Sequence, residues 1–245
     1  MWRTLAASVR GSYHTKQAKG NEDALGLAST LSADLLLIVS DGAGSAPFAS
    51  EGSQFLTRKA LDLLAHYEMP SARFALECDA YALLFKLKQA LTQFAEEQNR
   101  VSGDFAATFL AVMVGELYTL AIQVGDGAII ALDHANELTF LTQAFHGDYT
   151  SETVFLSSDS ALVQASVGVY PSDRYKAFAL LSDGLEPVAL QGGKPFKDFF
   201  MPLFAFVQSE GSVSQKLSNL ATFLDGEQMN ARTHDDKTLI LACNL

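Results

Sequence analysis

The chain has 245 residues, 49% of them hydrophobic, with 28 Asp and Glu against 17 Lys and Arg for a formal charge of −11. That acidic excess disfavours nucleic acid and anionic membrane surfaces, whose binding needs basic patches, and suits a cytoplasmic protein or one that gathers cations. The two cysteines, Cys78 and Cys243, make neither a disulfide framework nor a thiolate metal spacing, so both are expected to be buried or inert.

No polar or Pro-rich linker interrupts the sequence, and residues 1–245 are read as a single domain. Arg3 and Arg10 bracket too short an apolar stretch for a signal peptide, and Glu116 interrupts the longest candidate membrane span.

In chain order, residues 2–9 are expected as an edge strand, followed by a polar stretch in which Asn21, Glu22 and Asp23 precede a short apolar run at 24–28. Residues 35–39 are uninterrupted Leu, Ile and Val, the pattern of a strand buried on both faces, and the run stops at Ser40 before Asp41-Gly42-Ala43-Gly44. Leu56, Ala60, Leu63 and Leu64 recur at helical spacing. A second helix carries Ala80, Leu83, Leu84, Leu87, Leu91 and Phe94 on one face, with Pro70 between the two.

Strands are then expected at 105–114, 118–124, 127–132 and 138–142, joined by links short enough to make them antiparallel neighbours. Further strands are expected at 153–156, 163–169, 177–181 and 238–242. Helical patterns occupy 195–207 and the row Val213, Leu217, Leu220, Ala221 and Leu224, with Asp225-Gly226 as a helix stop. The row Phe196, Phe199, Phe200, Leu203 and Phe204 reads as core. Strands and helices in separate runs indicate an α+β architecture, two antiparallel β-sheets packed as a sandwich with helices on both outer faces.

Carboxylates recur beside these strand ends: Glu22, Asp23, Asp41, Asp126, Asp183 and Asp235. If the strands are neighbours, these groups converge on one edge, where they repel unless cations neutralise them. An all-oxygen donor set suits Mg²⁺ or Mn²⁺, and the scattered histidines do not suit zinc. Taken alone, His14 and His234 read as solvated loop residues, and Asp236 as a cap at the strand entrance.

Asn21-Glu22-Asp23, Asp41-Gly42-x-Gly44, Gly125-Asp126-Gly127, Ser182-Asp183-Gly184 and Asp235-Asp236-Lys237-Thr238 resemble, in order, the motifs of the metal-dependent protein serine/threonine phosphatases of type 2C, in their bacterial branch. The resemblance spans nearly the whole chain. It implies the same αββα sandwich, two Mn²⁺ or Mg²⁺ ions and a phosphorylated protein substrate, paired with a Ser/Thr kinase. By resemblance Asp41 and the Gly42 carbonyl bind both ions, Asp183 and Asp235 complete the second ion's shell, Glu22 and Asp23 bind through water, and Asp126 helps hold a third ion.

The implied catalytic set is Asp41, Asp183 and Asp235, with hydrolysis by a water that the two ions activate. The family often places an Arg four residues before the motif Glu; here that position is Ala18, which leaves Lys19 and His14 as phosphate-binding candidates. That substitution also admits a non-catalytic regulatory or phosphoprotein-binding module. A different two-metal enzyme, such as a nuclease, is opposed by the net charge.

Overall fold

Residues 1–30, 32–143 and 153–245 are described by a computed structural model. The first half of the chain forms β1 (Trp2–Val9), α1 (Ser12–Lys16), β2 (Asp23–Ala28), β3 (Ala33–Asp41), α2 (Ala49–Leu64) and α3 (Arg73–Glu97). There follow β4 (Phe109–Gly115), β5 (Tyr118–Val124), β6 (Ala128–Asp133), β7 (Leu138–Phe140), β8 (Ser166–Pro171) and β9 (Tyr175–Leu181). The chain continues with α4 (Glu186–Ala189), β10 (Leu190–Gln191), β11 (Lys194–Pro195), α5 (Lys197–Gln208), α6 (Val213–Leu224), α7 (Glu227–Asn230) and β12 (Lys237–Asn244).

Two five-stranded sheets run in the orders β1-β12-β9-β6-β7 and β2-β3-β4-β5-β8, every pairing antiparallel, with β10-β11 a separate hairpin. The expected sandwich is what forms. β3 shows why its aliphatic run has no polar face: Leu35, Leu37 and Val39 pack between the sheets, whereas Leu36 and Ile38 pack under α2 and α3. Alternate side chains of a strand point to opposite faces, so a strand with a sheet on one side and helices on the other must be apolar at every position.

The outer layers follow from helical periodicity. Leu56, Ala60 and Leu64 of α2 and Leu84, Leu87 and Leu91 of α3 cover the second sheet. Phe200, Leu203 and Phe204 of α5, with Leu220 and Leu224 of α6, cover the first. Phe196 and Phe199 of the expected core row are only half-buried. No helix among the described residues is long and apolar enough to cross a membrane.

Five expectations are corrected. Residues 153–156 form no strand, and the strand expected at 163–169 begins only at Ser166, after a series of turns. Nor are β5 and β6 sheet neighbours: Gly125-Asp126-Gly127 carries the chain from the second sheet to the first. A three-residue link can cross the edge of a sandwich as readily as close a hairpin, and periodicity does not distinguish the two. Phe105 belongs to a 3₁₀ turn (Ser102–Phe105) ahead of β4, and its ring stacks on Phe48. Cys78, finally, is exposed on α3, whereas Cys243 is buried in β12.

Candidate metal centre

β2 and β3 are paired with Asp23 opposite Asp41, which sets two carboxylates side by side at one end of the second sheet. β9 brings Asp183 to the same end from the first sheet, and Asp235 stands just ahead of β12, its neighbour. The crossing turn adds Asp126. Asp41, Asp126, Asp183 and Asp235 thus line one cleft of about 410 Å³, together with Gly42 and His14.

Asp41 is held rigidly. Its N–H donates to Thr108 Oγ1 at 2.9 Å, its carbonyl accepts the Thr108 N–H at 2.8 Å, and Ser40 Oγ donates to the Thr108 carbonyl at 2.6 Å. A Cβ at Gly42 would lie 2.7 Å from the Ala49 carbonyl oxygen and 2.8 Å from that of Glu22, so only glycine lets α2 approach this closely. On the crossing turn Gly127 has φ +83°, again a conformation natural to glycine, and Thr153 Oγ1 donates to Asp126 Oδ2.

The electrostatics are those of crowded acids. Burial, then the charges of Asp23 and Asp183, holds the Asp41 carboxyl well above the usual carboxylate range. Burial pushes Asp183 up to about 6, helped by Asp126 and Asp235. Burial also takes Asp23 up to about 7, against the hydrogen bonds that Thr238 Oγ1 and Ser182 Oγ donate to its Oδ2 at 2.6 and 2.8 Å. Glu186, beside Asp126 and Asp183, is raised to about 7, again first by burial. Asp23 Oδ1, Asp183 Oδ1 and Glu22 Oε2 are buried and find no hydrogen-bond donor among the described residues. Buried carboxylate oxygens that lack donors in an all-oxygen cluster fit hard divalent cations, which supply the missing positive charge.

The neighbouring aspartates Asp235 and Asp236 separate cleanly. Asp235 is exposed to the cleft. Asp236 is 2% exposed and accepts the N–H groups of Gly11 and Glu22, each at 2.6 Å. It therefore ties the start of α1 and the start of β2 to the last strand, a larger role than a cap. His14 is likewise no solvated loop residue: it is buried on α1, with Nδ1 2.9 Å from Asp236 Oδ2 and Nε2 3.5 Å from Glu22 Oε2. Among the described residues, His14, Asp235 and Asp236 bring ligand atoms within 4.8 Å of one another. Both Asp236 oxygens are already engaged by backbone donors, so of this trio Asp235 has the freer carboxylate.

Glu22 and Asp23 lie buried behind the cleft lining, and Lys19 Nζ is engaged at 3.2 Å by both Glu22 Oε1 and the Gly44 carbonyl. Sequence reasoning passed over Thr108, Tyr13 and Glu186. Nothing in the sequence marks Thr108, whose partner Asp41 is distant along the chain. Glu186 did carry a signal: it stands three residues after Asp183, a helical spacing that brings two acids to the same side.

Residues 10–225 match the family model of protein phosphatase 2C. Serine/threonine-protein phosphatase 3 of Escherichia coli (strain K12) is 29% identical over 252 residues, covering 98% of each chain. The crystal structure of serine/threonine phosphatase Stp1 from Staphylococcus aureus superposes with a TM-score of 0.71 at 18% identity, covering 100% of this chain and 96% of that one. The catalytic domain of the serine/threonine protein phosphatase PstP, solved in complex with two manganese ions, superposes with a TM-score of 0.66 at 21% identity, over 99% and 97% of the two chains. With the motifs in order on one cleft of an αββα sandwich, and a family model matched over most of its length, the chain belongs to the protein phosphatase 2C family.

Proposed function

We propose that this protein is a metal-dependent phosphoprotein phosphatase that hydrolyses phosphoserine and phosphothreonine. The observation that carries the reading is the group of four carboxylates on one cleft, two of them pushed up by burial and mutual charge, an arrangement that is costly without cations and useful with them. Asp41, Asp183 and Asp235, with the Gly42 carbonyl, would hold two Mn²⁺ or Mg²⁺ ions, as the manganese complex of PstP supports; Asp126 would serve a third. Bound ions of this kind supply Lewis-acid activation of water and screen the charge of a phosphate.

The chain's own residues prepare that site. Thr108 fixes Asp41 through two backbone hydrogen bonds, so the carboxylate is oriented before any ion arrives. Ser182 and Thr238 orient Asp23, and Asp236 holds the Glu22 backbone, so both acids behind the cleft are set by the sheet ends. Tyr13 is exposed and lines the cleft beside the buried His14, where a phosphorylated side chain would enter. Lys19 would take the part of the family's Arg by leaving Glu22 Oε1 to reach a phosphate.

A phosphorylated protein, delivered by a Ser/Thr kinase, is the natural substrate class. Ala18, with φ +56°, supplies no guanidinium, and this favours as second reading a non-catalytic phosphoprotein-binding module. Turnover of phosphoserine and phosphothreonine peptides with Mn²⁺, repeated in chelator, tests both. Metal-dependent phosphate release is expected. Peptide binding without release, at any metal concentration, would overturn the enzyme in favour of the module.

A further inference from the structure

Behind the crossing turn lies a second cavity of about 300 Å³, lined by Gly127, Phe140, Thr142, Gln143, Glu186 and Leu190 among others. It is separated from the acidic cleft by a single turn, since Asp126 lines the cleft and Gly127 lines the cavity. Its polar wall is largely self-satisfied. Gln123 donates to the carbonyls of Gly125 and Gly127 at 3.1 and 3.0 Å and accepts from Thr142. Glu186 is different: one oxygen accepts the Gly127 N–H at 3.1 Å, and no Lys, Arg or His among the described residues pairs with the carboxylate.

The cavity therefore offers one half-buried carboxyl group, which a bound cation would hold ionised, at the end of an apolar wall made by Phe140 and Leu190. That is the chemistry a long cationic side chain fits, its methylenes on the apolar wall and its head group on the acid. An extended peptide advances about 3.3 Å per residue, so a residue close to the phosphorylated one can reach across a single turn.

Resting on the phosphatase reading above, we propose that this cavity is a substrate subsite, and that it receives the side chain of an arginine or lysine within a few residues of the phosphorylated residue. Glu186 then selects among phosphoproteins as well as bracing the Asp126 turn. A bracing role alone predicts no preference for cationic peptides, because Gln at this position keeps an oxygen for the Gly127 N–H.

The test is binding, measured separately from turnover. Fluorescence anisotropy, with Mn²⁺ present, uses labelled peptides in which a non-hydrolysable phosphonate replaces the phosphoserine phosphate, and compares those that carry one Arg at each position from three before to three after the phosphonate with the same peptides carrying norleucine. At the best position Arg is expected to bind about tenfold more tightly, the lower end for a hydrogen bond to a charged partner. Glu186→Gln should bring that ratio close to one, and Gln143→Lys, which sets a cation at the cavity mouth, should lower it as well. Equal affinity for Arg and norleucine peptides in the wild type, or a ratio that survives in both variants, would overturn the subsite. Phosphate release from the matching phosphoserine peptides is scored independently: an Arg preference that depends on Glu186, in a protein that releases no phosphate, would leave the subsite standing and remove the enzyme.

Discussion

Adjacent aspartates with opposite duties make a sharp test of how this edge is built. Asp236 accepts two backbone N–H groups at 2.6 Å from inside the protein and faces His14 at 2.9 Å, whereas Asp235 is exposed and its carboxylate accepts, among the described residues, only the Asp236 N–H, at 2.9 Å. In Asp236→Asn one accepting oxygen becomes an NH₂ group, so either Gly11 or Glu22 loses its partner and meets a donor instead. A hydrogen bond to a charged group contributes about 1.5–3 kcal/mol and a stranded buried N–H costs a similar amount, which sets a loss of about 3 kcal/mol. For a chain of this length each kcal/mol moves Tm by about 2–4 °C, so a fall of about 6–12 °C is expected. Asp235→Asn keeps an oxygen for the Asp236 N–H and relieves repulsion, so in chelator its Tm should match or exceed the wild type. Thermal and urea unfolding of the three proteins in chelator gives both values. A Tm for Asp236→Asn within about 1 °C of wild type, or an equal fall in Asp235→Asn, would refute the division of labour.

Asp183→Asn should abolish Mn²⁺-dependent phosphate release while leaving the far-ultraviolet spectrum unchanged and raising Tm in chelator, because the charge it removes lacks a donor at Oδ1. The metal-free protein should lose stability as pH rises. Asp23 and Glu186 are raised to about 7 and Asp183 to about 6, so folding favours their protonated forms; that contribution is complete below their unfolded values and is lost as pH passes through 6–7. Tm in chelator should therefore fall between pH 5 and 7.5, and saturating Mn²⁺ should flatten the slope; a Tm that climbs over that range would contradict the burial argument. One thiol, the exposed Cys78, should react with a disulfide reagent in the native state, and Cys243 should follow only in denaturant. Two thiols reacting at once would mean that β12 frays.

Local chemistry made much of this protein legible before any tertiary information. The two-faced apolar run of β3, the 3.6-residue rows of α2, α3, α5 and α6, and the Asp-Gly turns are patterns within a dozen residues, so propensity and periodicity suffice to place them. The acids of the cleft could be named for the same reason, as carboxylates recurring at strand ends. What only the tertiary structure decided involves partners remote in sequence: Asp236 joins residues 11 and 22, Thr108 pins Asp41, and Ser182 and Thr238 converge on Asp23. Whether His14 is solvated or buried depends on where α1 docks, and its own segment, five helical residues between polar loops, carries no apolar face to show it. The crossing of Gly125-Asp126-Gly127 between sheets is likewise invisible locally, because a glycine turn permits a hairpin and a sandwich corner alike, and the burial of β6 against β9 selects the corner.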